Sequence, residues 1–447
     1  MSHDHPQRAD AAPPSWWQDL ADTIRQRPAL RAALAVLLAL FLLAVYAPLL
    51  ASDLPLLARE HSQWSSPWLN NLFNKTYYDG PLDPTFNLLI LALPLYGLAR
   101  WLLLRRIPHL SRWAGALFVL AASWLALDPA ANYLNPPDSP RESGLHDLLG
   151  AYQAPYPKGV HDRSWQWHLP APIAFSFRTT TAHPHSAPTW QGRPLLHSIL
   201  WQGSTDAPPR LHLAPSLPRW RHPLGTDNLG RDLTARLCYG ARAAITVGLA
   251  AAAIAVGLGT LLGLLAGWVG GWVDLLISRL IEVMVCFPSL ILILALTALL
   301  DAPSLFHLIA VIGLTRWTAP ARLMRGEALR LRQEVYITAA LALGLRPREV
   351  LFRHLLPNAI GALAVATTFA IANAILVEST VAFLGMGDAT VPTWGKMLND
   401  GRVFHNTAMM LLPGLALFVT LLAINLLGEG LRDAFDPRQQ RQRPPPS

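Results

Sequence analysis

Repeated apolar runs, separated by arginine-bearing links, constrain this chain more than any other feature. Candidate spans cover residues 32–50, 86–104, 113–127, 243–268, 281–300, 304–318, 360–381 and 408–427. An α-helix rises about 1.5 Å per residue, so a hydrocarbon layer of roughly 30 Å takes about 20 apolar residues. Inside lipid every backbone N–H and C=O needs a partner, which a helix supplies from its own chain. The expected fold is an all-α membrane protein of about eight transmembrane helices. Composition agrees: 52% of residues are hydrophobic and 14% charged, against about 25% charged in an ordinary soluble domain.

The formal net charge is +8, and the arginines sit at the ends of the apolar runs. That is the pattern by which positive charge stays in the cytoplasm, and no nucleic-acid-reading motif accompanies it. Arg25, Arg27 and Arg31 place the N-terminus inside. The links 105–112, 274–279 and 322–353 then fall inside, as does a tail carrying Arg432, Arg438, Arg441 and Arg443. The stretch 128–242 falls outside, since long loops cross regardless of charge. About thirty mostly polar residues precede the first run, too many for a cleavable signal, so this run reads as a signal anchor. Cys238 and Cys286 imply no disulfide framework.

The outer stretch is rich in Pro, Trp and His, with Trp165, Trp167, Trp190, Trp201 and Trp220 along it. Alternation over 165–169 predicts a strand and 173–177 a second, within a small, loop-rich cap. His161, His168, His183 and His185 lie here without an accompanying cysteine or acid cluster, so no metal site is expected. Asp227, Arg231 and Asp232 precede the fourth span; they fit an outer gate, or a local cap with Asp232 closing the next helix's N-terminus. Asn373 and Glu378, with Glu282 and Ser289, place polar groups in or near spans, where they are functional candidates. Gly257, Gly259, Gly263 and Gly267 fall on nearly one helix face, which predicts close helix packing. No phosphate-binding loop, H-E-x-x-H or G-x-S-x-G motif is present, so the chain is expected neither to bind ATP by that route nor to be an enzyme.

Between the sixth and seventh candidate spans lies a polar hairpin. Arg316, Arg322, Arg325, Arg330 and Arg332 precede it. Tyr336, Thr338, Ala339 and Ala340 lie in a predicted helix, Gly344 in a left-handed cap, and Pro347 in the first turn of a second helix. Val350, Leu351, His354 and Leu355 then share a face, with Arg353, Leu356 and Pro357 beside them. The pattern fits a knob presenting small residues and a hydrophobic edge to a soluble partner, and equally a loop packed on its own bundle.

From His222 to Arg438 the chain resembles the dipeptide, oligopeptide and nickel branch of ATP-binding-cassette importer permeases. The motifs fall in order: His222-Pro223-Leu224-Gly225-Thr226-Asp227 leading to Gly230-Arg231-Asp232; the glycine run from Gly263 to Gly271 with Trp272 and Asp274; Phe287-Pro288; the hairpin; Phe383-Leu384-Gly385-Met386-Gly387 with Pro392-Thr393-Trp394-Gly395; and Asn425-Leu426-Leu427-Gly428 leading to Asp436-Pro437. The resemblance implies a type I permease core at 236–434, of five spans with a coupling loop at 322–357. Hydropathy and charge add a cytoplasmic N-terminal tail (1–31), three earlier spans (32–127), an enlarged periplasmic insert (128–235) and a cytoplasmic C-terminal tail (435–447), and two of the early spans and the insert depart from the family's usual six-span plan. Two extra spans preserve parity.

ATPase coupling is then expected at Tyr336, Thr338, Ala339, Ala340, Gly344, Arg353, His354, Leu356 and Pro357. The pathway or outer gate is expected at Asp227, Arg231, Asp232, Asn373, Glu378 and Trp394. Implied partners are a second homologous permease, two ATP-binding subunits, a periplasmic solute-binding protein and the bilayer. The chain itself needs no cofactor, since ATP binds the partners. The implied location is the inner membrane, multi-pass, with both termini cytoplasmic. The implied cargo is peptide or peptide-like; the alternatives are nickel, or a gradient-driven secondary transporter. Thr338 and Leu341 depart from the family, which often has charged residues there.

Overall fold

A computed structural model describes residues 24–52, 56–60, 63–70, 72, 82–104, 167–169, 171–173, 222–300 and 303–435. The candidate span 113–127, most of the outer insert and the C-terminal tail beyond 435 lie outside the described residues. In chain order the helices are α1 (Pro28–Val45), α2 (Ala47–Leu50), α3 (Pro67–Asn70), α4 (Asp83–Leu104), α5 (Leu233–Val269), α6 (Gly271–Cys286), α7 (Ser289–Ala298), α8 (Leu305–Thr315), α9 (Thr318–Arg332), α10 (Val335–Ala342), α11 (Pro347–Val350), α12 (Leu356–Asn358), α13 (Ile360–Phe383), α14 (Trp394–Val403) and α15 (Thr407–Phe435). A π-helical turn, Leu351–Leu355, joins α11 to α12.

Among the described residues four helices are long and apolar enough to cross a membrane: α1, α5, α13 and α15. They correspond to the first, fourth, seventh and eighth candidate runs. The fifth run is not one straight helix. α6 and α7 meet at a 79° bend, at Phe287–Pro288. Proline pushes its preceding residue out of the helical region, and Phe287 is extended there (φ −90°, ψ 129°). The sixth run is also shorter than expected: α8 has 11 residues, about 16 Å of rise, and the chain breaks at Arg316–Trp317 before α9. The described residues thus hold up to five spans by length and composition.

The helical class holds, with one small antiparallel sheet added: β1 (Leu57–Glu60) lies between β2 (Gln63–Ser65) and β3 (Trp167–Leu169). Ala58 pairs with Ser65 on one side and His168 on the other. The strand predicted over 165–169 is present in its described part, Trp167–Leu169; of the one predicted over 173–177 only Ile173 is described, and it forms an isolated bridge with Ala51.

The chain divides into two compact units. One takes its described residues from 1–40, 245–388 and 415–447; the other from 41–244 and 389–414. In the first unit the glycine stripe of α5 lies against α9. A Cβ on Gly259 would come 2.6 Å from the Trp317 carbonyl oxygen, and one on Gly267 would come 2.6 Å from the Ala328 Cβ. Gly263 meets the Ala321 carbonyl just as closely, whereas Gly257 faces open space. The close packing predicted from sequence is therefore intramolecular and uses three of the four glycines. Gly270 (φ +71°) and Gly271 (φ +57°) then make the turn into α6. In the second unit Ala47, Ala51, Ile173, Ala235, Cys238 and Tyr239 form a core.

Candidate functional site

The hairpin belongs to the first unit. α10 ends in a Schellman motif: Leu345 N–H donates to the Ala340 carbonyl (3.2 Å) and Gly344 N–H to that of Leu341 (3.0 Å). Gly344 has φ +84°, the left-handed conformation glycine adopts freely. Pro347 opens α11, where its missing N–H costs no hydrogen bond.

The hairpin is fastened to its own bundle. Ile337, Ala340, Val350, Leu351 and Leu355 are buried in a cluster with Leu264, Met324, Ala328 and Leu331. The face predicted from Val350, Leu351, His354 and Leu355 is real, but it points inward and His354 is only half-buried. The expected hydrophobic edge is instead made by other residues. Val335 is 80% exposed, Leu343 85% and Phe352 62%, with Tyr336 and Leu341 more modestly exposed. Thr338, Ala339, Gly344, Arg353 and Pro357 share this exposed surface, while Ala340 is buried and Leu356 half-buried. Arg353 reaches Glu349 within the hairpin (3.3 Å). Desolvation first, and the Glu334 charge second, push the Tyr336 phenol above its ordinary value. α9 is pinned to α6 by Arg325, whose Nη2 donates to Asp274 Oδ2 (2.7 Å). That carboxylate, chiefly through its hydrogen bonding, holds the Arg325 guanidinium even more firmly protonated.

The outer candidates fall in two places. In the second unit Asp227 is fully buried. Its Oδ1 accepts from the Leu229 and Arg231 N–H groups (2.9 and 2.8 Å), and its Oδ2 from Arg231 Nε (2.7 Å) and Arg236 Nη1 (2.6 Å). Arg236 also reaches Asp400 (3.3 Å). Asp232 caps α5, accepting from Ala235 N–H (2.8 Å), and contacts His222 Nδ1 (2.8 Å). Trp394 is buried and donates from Nε1 to the Leu237 carbonyl (3.0 Å). The structure therefore brings Asp227, Arg231, Asp232 and Trp394 into one tightly packed region joining the start of α5 to α14.

Asn373 and Glu378 belong to the first unit, on α13. Glu378 is 2% exposed and accepts from the Ser379 hydroxyl (3.2 Å); Asn373 is exposed. Five helical residues apart, they sit about 140° from one another around the axis, so they do not line one face. Glu282 is exposed and paired with Arg279.

Sequence reasoning missed a further buried cation in the second unit. Arg242 donates to Asp83 Oδ1 (2.6 Å), Asn87 Oδ1 (3.0 Å) and the Ala44 and Val45 carbonyls (2.8 and 3.2 Å). Its guanidinium lies about 5.1 Å from the Phe86 ring centre and 5.0 Å from that of Tyr239. The available signal was an arginine set in an otherwise small, apolar stretch, Ala241 to Val247.

Comparison with known proteins gives a consistent picture. Residues 259–441 match the family described as binding-protein-dependent transport system inner membrane component. A dipeptide transport system permease protein of Alkalihalophilus pseudofirmus is 40% identical over 250 residues, 55% of this chain and 80% of the relative. A probable peptide ABC transporter permease protein of Sinorhizobium fredii is 40% identical over 261 residues, 58% of this chain and 85% of the relative. A glutathione transport system permease protein of Escherichia coli O6:K15:H31 is 39% identical over 231 residues, 51% of this chain and 75% of the relative.

Proposed function

This chain belongs to the family of binding-protein-dependent transport system inner membrane components, and on that premise we propose how it works as the permease subunit of an ATP-driven peptide importer. It forms the membrane pathway for peptides or peptide-like solutes and hydrolyses nothing itself. Partner ATPases supply the energy, and a solute-binding protein delivers cargo on the outer side. Two ATPase copies and a second homologous permease complete the proposed assembly. Both termini of this chain lie in the cytoplasm.

The observation that carries the coupling role is the hairpin's division of labour. Ile337, Val350, Leu351 and Leu355 weld it to α5 and α9, each burial contributing about 1.5–3 kcal/mol. Val335, Leu343 and Phe352 stay in solvent, which favours a partner's groove covering them. A push on that rim would be carried by a packed joint rather than absorbed by a loose loop. α13 begins two residues after the hairpin's last helix, so the same push acts on the base of a long span. The exposed ion pair lost by having Thr338 and Leu341 is worth about 0–1 kcal/mol; apolar contact dominates the docking.

The test is charge placed on the rim. Leu343→Asp and Phe352→Asp should leave the chain inserted and paired with its permease partner. They should abolish co-purification of the ATPase subunits and ATP-dependent uptake. Normal co-purification and uptake with both substitutions present would refute the docking role.

A further inference from the structure

Arg316 sits at the break between α8 and α9, in the first unit. Its side chain is half-buried. Its Nε is buried with no hydrogen-bond partner, and its guanidinium makes no ion pair among the described residues. Buried arginines in the second unit are treated differently. Arg242 meets a carboxylate, an amide and two carbonyls, and Arg236 meets two carboxylates.

The depth of Arg316 follows from packing. α5 and α9 run side by side in the same direction, with Gly259 at the level of Trp317 and Gly267 at that of Ala328. Arg332 Nη1 donates to the Trp268 carbonyl (3.2 Å), closing the register at the Gly270 turn. From that turn back to Gly259 is eleven residues, about 16 Å along the axis. With the turn at the cytoplasmic surface, this is near the middle of a hydrocarbon layer of roughly 30 Å. At the same level Thr260, next to Gly259, has a buried hydroxyl with no hydrogen-bond partner among the described residues. A cation held at such depth is costly unless an anion or water meets it, and here the protein's own described atoms supply neither a carboxylate nor a carbonyl.

We propose that Arg316 is a specificity-determining site of the pathway that receives a carboxylate of the transported solute. The guanidinium fork matches a carboxylate bidentately. A peptide in transit carries such a group at its C-terminus. The site rests on the peptide-importer reading and adds to it which part of the cargo is read.

The test uses the complete importer in proteoliposomes, with this chain, its permease partner, the ATPases and the binding protein. The probes are a mixed tripeptide pool and the same pool amidated at the C-terminus, with ATP-dependent uptake followed by mass spectrometry. Arg316→Gln should lower uptake of the free-acid pool about tenfold, the loss expected for one charge-assisted hydrogen bond. Amide uptake and basal ATP hydrolysis should stay unchanged, and Arg316→Lys should recover part of the free-acid uptake. An equal fall for both pools would assign Arg316 to packing or subunit pairing and overturn the proposal, as would no fall for either. Wild-type assemblies that take up neither pool with ATP would overturn the importer reading, and this site with it.

Discussion

Two residues carry constraints that a single substitution exposes. Gly344 holds φ +84° and donates its N–H to the Leu341 carbonyl. Alanine at that φ costs roughly 1–2 kcal/mol, which the packed hairpin tolerates in part. Proline can neither adopt that φ nor donate. Gly344→Pro is therefore expected to leave the spans inserted while disconnecting ATP hydrolysis from uptake, read as retained ATPase activity with lost transport. Gly344→Ala should fall between proline and wild type. Asp227 is constrained by charge rather than conformation, since Arg231 and Arg236 both converge on its Oδ2. Asp227→Asn keeps the shape but leaves two cations around a neutral amide. Breaking a buried pair in this way costs about 3–5 kcal/mol. A marked fall in melting temperature in detergent is expected, and an unchanged one would show that water reaches the network.

The glycine stripe of α5 sets the test at the scale of elements. Gly263→Val would push a branched side chain into the Ala321 carbonyl and the Met324 Cβ. Overpacking of this kind costs about 1–3 kcal/mol, so thermal stability should drop. Gly257→Ala meets open space and gains about 1 kcal/mol of helix propensity, so stability should hold or rise. The contrast isolates contact from propensity. The stripe was legible in the sequence because i, i+4 spacing fixes a shared face whatever the neighbour is. Asp232 as a helix cap, Gly344 as a left-handed residue and Pro347 as a helix opener were legible for the same reason: each is a local rule. The break at Phe287–Pro288 was equally local, yet reading the run for hydropathy alone concealed it. The hairpin's facing was not legible. An amphipathic repeat shows that a face exists but not whether the chain's own bundle or another protein covers it. Only the packing of Val350, Leu351 and Leu355 reveals that Val335, Leu343 and Phe352 form the outer rim. Arg242 was hidden because its carboxylate lies 159 residues away in sequence, and the bridge from Arg236 to Asp400 because that partner lies 164 residues away.

At the scale of the whole molecule, charge is used in two ways that hydropathy alone does not separate. Arginines at the ends of the apolar runs are the expected orientation signals. Arg236 and Arg242, buried and paired inside the second unit, are joints. Arg242 ties α5 to α4, through Asp83 and Asn87, and to the end of α1, through the Ala44 and Val45 carbonyls. α1 and α4 lie outside the residues matched by the family, 259–441. The joint thus ties these early helices to the start of α5. Arg242→Ala removes the buried cation that faces Asp83 and should cost about 3–5 kcal/mol. Removing both partners, Arg242→Ala with Asp83→Ala, should cost less than the sum of the single losses, since both single variants lose the same pair. Orientation arginines behave otherwise, because neutralising them leaves no buried partner behind. If Arg105, Arg106 and Arg112 hold their link in the cytoplasm, replacing all three with Gln should weaken retention of that link. A phosphatase fused just after residue 112, active only outside the cytoplasm, should then gain activity. The same fusion without the substitutions should be silent. Activity in that unsubstituted fusion would reverse the assigned orientation and move the hairpin's apolar rim to the side of the membrane where no ATPase can reach it.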